Sequence, residues 1–205
     1  MKVYEYRGIR GLMAAELLTD TLEEITHGTP FSIAGVNELG KETEASSEAH
    51  YYDNVPAVVV DSTGADAVTM AKSAIPLDIL ANITGQFYDE ERGLFIEGER
   101  EQKYFALGYI TKRTDGTEVF VWRLKGTFNI PSDTHNSEDD GTDANGQELV
   151  FTGINTTHKF TLTKDNKTYK KTVKAVNVEQ DKNPQDETTF FATVQTPDTV
   201  KKAAA

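Results

Sequence analysis

The hydrophobic positions of this chain come in short bursts set between polar stretches, and most bursts alternate with period two, as half-buried strands do. The clearest case spans residues 104–130. Tyr104 to Arg113 and Thr117 to Ile130 flank Thr114-Asp115-Gly116, and the Asp-Gly step predicts a hairpin. On the second strand Phe120, Trp122, Leu124 and Phe128 fall at even positions, with Arg123 and Lys125 opposite. This predicts one core face and one wet face, and it makes Trp122 a core residue rather than a stacking platform for sugars or bases. Pro131 ends the strand.

Other segments are less plain. Arg10 to Glu24 puts Leu17, Leu18 and Leu22 on a helical stripe, yet it also reads as a strand pair broken at Thr19-Asp20-Thr21. The turn chemistry of Ile25 to Pro30, close behind, favours strands. Val55–Asp61 and Asp66–Ile75, separated by Ser62-Thr63-Gly64-Ala65, predict a second hairpin. A short helix follows at about 76–85, with Pro76 at its start, Asp78 in its first turn and Gly85 as its stop. Strands resume at Leu149–Thr152, His158–Thr163, Thr168–Val178 and Thr188–Gln195. Gly40–Asn54 and Ser132–Glu148 are polar and acidic and predict long loops, and residues 197–205 predict a flexible tail. No repeat is present. Residues 1–196 thus form one mostly β domain.

Composition narrows the function more than the fold. The 205 residues carry a formal charge of -12 and a mean hydropathy of -0.49. Tight duplex binding needs cationic surface, so a DNA reader is disfavoured. With no cysteine, disulfides and thiolate chemistry are excluded. No apolar run is long enough to span a bilayer, and no secretory signal or membrane insertion is expected. The one basic patch, Lys159 to Lys174, reads as a solvated strand face or as a mate for the acid of a neighbouring copy.

Catalytic motifs fail on inspection. Gly35 to Lys41 has the Gly-x4-Gly-Lys spacing of a phosphate loop, but Glu42 replaces the magnesium-binding hydroxyl and no helix is signalled after it. Framed on Gly141 or Gly146, the acidic loop lacks the bidentate carboxylate that closes a calcium loop. His27, His50, His135 and His158 never sit at metal-binding spacing. No catalytic, cofactor-binding or metal residue is assigned, and a structural protein is expected rather than an enzyme.

The order of features resembles the major tail protein family of siphophages infecting Gram-positive bacteria. Its carriers are Thr29-Pro30, Ile33 to Glu38, the acidic stretch closing with Tyr51-Tyr52-Asp53-Asn54, and Ile75 to Ala81. Phe105 to Tyr109, Val121 to Phe128 and Leu149 to Gly153 complete the set, so the likeness covers Tyr4 to Phe160. It implies a β-sandwich or barrel-like tail-tube fold with one flanking helix. It also implies hexameric rings stacked into a tube, assembled in a host cytoplasm and carried in the virion. DNA would pass through transiently without specific binding, and the tape measure, tail terminator and distal tail proteins would be partners. Asp133, Glu138, Asp139, Asp140, Asp143, Glu148, Glu42, Glu44 and Glu48 become candidate lumen or inter-ring residues. The tube of a contractile tail or secretion device, and a carbohydrate-binding β-sandwich, remain alternatives.

Overall fold

The structure is a computed structural model that describes residues 3–137, 145–165 and 167–202. It is mostly β, with two short helices. In chain order the strands begin with β1 (Tyr6–Asp20), β2 (Ile25–His27), β3 (Phe31–Ser32), β4 (Val36–Tyr52) and β5 (Val55–Lys72). Helix α1 (Leu77–Thr84) leads to β6 (Phe87–Asp89) and β7 (Leu94–Ile96), then to β8 (Phe105–Arg113) and β9 (Glu118–Phe128). The remaining strands are β10 (Ser132–Asp133), β11 (Gln147–Gly153), β12 (Phe160–Lys164), β13 (Lys167–Lys171) and β14 (Ala175–Glu179), before helix α2 (Glu187–Ala192).

The main sheet runs β2-β1-β8-β9-β11-β5-β4, antiparallel throughout, and curls into a half-barrel. Strand β9 is its branch point. Val119–Arg123 pair with β14, and Gly126–Phe128 pair with β11. Gly126 permits the crossing, because a Cβ there would lie 2.5 Å from the Thr152 carbonyl oxygen.

Two bulges account for the pattern of buried residues. Pairing between β8 and β9 slips by one residue between Leu107↔Arg123 and Phe105↔Gly126. The extra residue on β9 inverts the alternation. Phe120, Trp122 and Leu124 therefore face one core, whereas Phe128 faces the other with Val119 and Val121. The expected wet face of β9 is instead largely buried, and Arg123 lies within it. A second slip on β1 lies between Arg10 and Met13, where Gly11 takes φ 69°. Ile9, Leu12 and Ala14 thereby share one side despite their mixed parity.

One core takes side chains from β1, β5, β8, β9 and β11, and so fills the inside of the curl. Helix α1 closes it with Leu80 and Ile83. The other face of β8 and β9 is covered by Phe160, Val178 and the α2 pair Phe190 and Phe191, which pack on Phe120 and Trp122 at centroid distances of 5.3 to 5.5 Å. The strand expected at Thr188–Gln195 is thus a helix. Adjacent strand residues point to opposite faces, yet these two phenylalanines enter the same core. Asp186 caps the helix by accepting from the Thr189 amide at 2.8 Å.

Three further expectations are corrected. Gly40–Asn54 is not a loop but most of β4, paired with β5 over its whole length. The expected turn at residues 62–65 does not exist. Strand β5 runs through it, and the reversal lies at Asp53-Asn54, both at positive φ (51° and 62°) as a type I′ turn demands. The single strand expected at Thr168–Val178 is two strands, because the chain leaves its hairpin with β12 at Lys171 to join the edge of β9. The helix at 76–85 and the hairpin at 104–130 stand as expected. Of the tail, Val200 packs on the second core, and the Lys201 carbonyl accepts from Asn183 and Gln185.

Candidate functional site

Strand β11 covers β5 only from Asp66 to Lys72. Beyond that point β4 and β5 continue as a two-stranded ribbon with both outer edges unpaired among the described residues. From Ala45 to Tyr52 the ribbon extends roughly 25 Å at the usual rise of a strand. Every residue of this stretch is exposed, and so are Val55, Val58, Val59 and Val60 opposite. Tyr51 and Tyr52 at the tip are each 65% exposed. An isolated two-stranded hairpin is marginal in water, and free edges bearing β-branched residues invite pairing.

The root of the ribbon is held firmly. Asp66 on β5 accepts from Arg123 Nη1 at 2.8 Å and from Lys174 Nζ at 3.1 Å. Arg123 Nε donates to the Tyr109 hydroxyl at 3.2 Å, and Lys174 also bonds the Gly64 carbonyl. Burial pushes the Asp66 carboxyl up, but Lys174, Thr43 and Arg123 together hold it below its usual value. A charge cluster this dry aligns β5 on β9 and β14, because removing one member leaves the others buried and unpaired.

The acids singled out in the sequence separate into groups. Glu42, Glu44 and Glu48 share one face of β4, and Glu48 lies opposite Val60. Asp133 and Glu148 lie on β10 and β11 at the opposite end of β5, where Glu148 pairs with Ala71. Glu138, Asp139, Asp140 and Asp143 lie outside the described residues. Near Asp133 and Glu148 is Lys72, paired with Gln147 and Val36, its Nζ buried without a hydrogen-bond partner. Burial alone lowers its ammonium to about 8.

Two concavities flank these features. A groove of about 900 Å³ opens on the half-barrel, floored by Tyr109, Val119 and Val121 and rimmed by Arg7, Glu38 and Lys41. A smaller cleft of about 490 Å³ carries His27 and His158 with Glu23, Glu24 and Asp198 at its edge. There His27 Nε2 donates to the Leu124 carbonyl at 2.8 Å, and burial lowers its basicity. Asp20 ties the neighbouring wall together, accepting from Lys125 Nζ at 2.6 Å and from the amides of Thr157 and His158. Spacing could not pair these histidines, since 131 residues separate them. Neither concavity was legible in the sequence.

The near-match to a phosphate loop is resolved by its backbone. Residues 36–42 are extended strand at the ribbon root, with no helix after them to cradle a phosphate. Among the described residues no three His, Asp or Glu side chains group to hold a metal, and no helix is long and apolar enough to cross a membrane. What the surface does offer is an uncovered ribbon, an open groove and the exposed lysines of β12 and β13. In comparison with known proteins, the chain matches no family model and no curated sequence.

Proposed function

We propose that this chain is a self-assembling structural protein, the major tail protein whose stacked hexameric rings form the tail tube of a long-tailed phage. The observation that carries the assembly half is the ribbon, which presents valines, tyrosines and two unpaired edges with no cover of its own. Such a surface is costly in a monomer and useful between copies, where strand edges pair and the valines leave water. The half-barrel with one face capped by α1 and the other by α2 supplies a rigid body from which the ribbon projects. The tube half rests on the sequence resemblance, and the net charge of -12 suits it, because a wall of like charge lets DNA slide without sticking. The same assembly logic fits the tube of a contractile tail or secretion device.

Negative-stain microscopy of the purified chain across concentration and salt tests this reading. Rings or tubes with a central hole are expected. A species that stays monomeric under all these conditions, and after addition of preformed tail tips as initiator, would overturn it.

A further inference from the structure

We propose that the tip of one copy's ribbon seats in the half-barrel groove of a second copy. This rests on the self-assembly reading above and names the contact that would drive it. The tip presents Tyr51, Tyr52 and Val55 to solvent around the Asp53-Asn54 turn, with Glu48 and Asp61 behind them on the exposed ribbon. Its chemistry is a pair of aromatic knobs carrying negative charge.

The groove has the opposite character. Its floor is apolar, from Ile9, Leu39, Val119, Val121 and the Tyr109 ring. At its rim Arg7 and Lys41 outnumber the single acid Glu38, while Arg123 is already engaged by Asp66. A net-positive rim stands out on a chain of charge -12. The other cleft is edged by Glu23, Glu24 and Asp198 and would repel the same tip.

Geometry makes the contact intermolecular. Lys41 lines the groove at the ribbon's root, and eleven strand residues, about 35 Å, separate it from Tyr52 at the tip. The charge cluster on Asp66 fixes the root, so the ribbon cannot fold back into its own groove. Each copy therefore keeps one free tip and one free groove, and a patch fitting a pocket elsewhere on the same surface propagates head to tail, into rings if the rotation closes and filaments if it does not. Two tyrosines bury about 150–250 Å² each, so with Val55 and the flanking ribbon the total approaches the roughly 1,000 Å² of a specific contact. One such contact is weak, and many in an array are strong.

The absence of native cysteine gives a clean test. Tyr52→Cys and Thr111→Cys are placed together in the full chain, and a short bis-maleimide is added at assembling concentration. A ladder of covalent oligomers is expected from the double variant and none from Thr111→Cys alone. In parallel, Tyr51→Ser with Tyr52→Ser should weaken self-association about tenfold or more, with an unchanged urea midpoint. Association of the serine variant at wild-type strength would overturn the contact while leaving self-assembly intact. Weakening without a ladder would place the tip elsewhere on the partner and overturn the groove. A wild-type chain that never associates would overturn both readings.

Discussion

The body and the ribbon are built from the same secondary structure, and they solve opposite problems. In the body, β8 and β9 are buried on both faces, flanked by paired strands and locked by aromatic contacts from α2. In the ribbon, β4 and β5 pair only with each other, and Glu42, Glu44, Ser46, Ser47 and Glu48 leave no apolar face. Two-sided burial fixes the register of β8 and β9 through side-chain packing. The ribbon's register comes from its type I′ turn and from the anchoring of Asp66 at its root. Stability lives in one region, and the capacity to bind another copy lives in the other.

The largest way to break this contrast is inside the body. Trp122 is wholly buried, packed 5.5 Å from Phe191, with its indole N–H directed at the Phe190 carbonyl. Trp122→Ala should cost about 3–5 kcal/mol, the range for emptying a large aromatic site. That is a large share of the roughly 5–15 kcal/mol that holds a domain together. Urea denaturation followed by circular dichroism checks it. A loss under 1 kcal/mol would mean that α2 does not seal the second core.

A middle-sized effect sharpens the comparison at the end of β5 farthest from the ribbon. Lys72 is buried without a partner, and its amine is lowered to about 8 from an ordinary 10.5. The unfolded chain therefore binds more protons between those values, and stability contributed by this site rises as pH climbs from about 8 to 10.5. Below pH 8 the full penalty applies, on the order of 3 kcal/mol. Lys72→Met should raise stability at pH 7 by a sizeable part of that, and the gap between variant and wild type should narrow by pH 10. Paired denaturation curves at the two pH values decide it. A constant gap would show that the amine finds a counter-charge.

The two regions were also unequally legible. The hairpin at 104–130 was readable because its Asp-Gly turn and alternating Phe120, Trp122 and Leu124 leave one solution, yet Phe128 broke the rule through a bulge that no local signal announces. The helix at 76–85 was readable from Pro76, Asp78 and Gly85. The ribbon was not, because a strand solvated on both faces loses the alternation that separates strand from loop. Its turn was hidden by the valine run at 58–60, which looked like a core strand and is surface. Helix α2 was missed because Thr188-Thr189 favours strand, and only the Asp186 cap and the adjacent phenylalanines argue otherwise. The groove escaped entirely, since its walls come from β1, β4, β8, β9 and β14 and exist only once the sheet has curled.

The smallest expected effect on folding is the most informative for function. Val58 and Val60 are exposed and face the same side as Glu48 and His50, their partners across the ribbon. Replacing both by threonine keeps the β-branched shape and changes only polarity, so the monomer's urea midpoint should move by no more than about 0.5 kcal/mol in free energy, as at ordinary surface sites. Those valines offer apolar area that gains energy only when another chain covers it, at about 25 cal/mol per Å². Sedimentation of the variant should therefore show weakened self-association while circular dichroism stays that of the wild type. If instead the variant unfolds more easily and associates as before, the valines belong to the monomer's own stability, and the division of labour between body and ribbon fails.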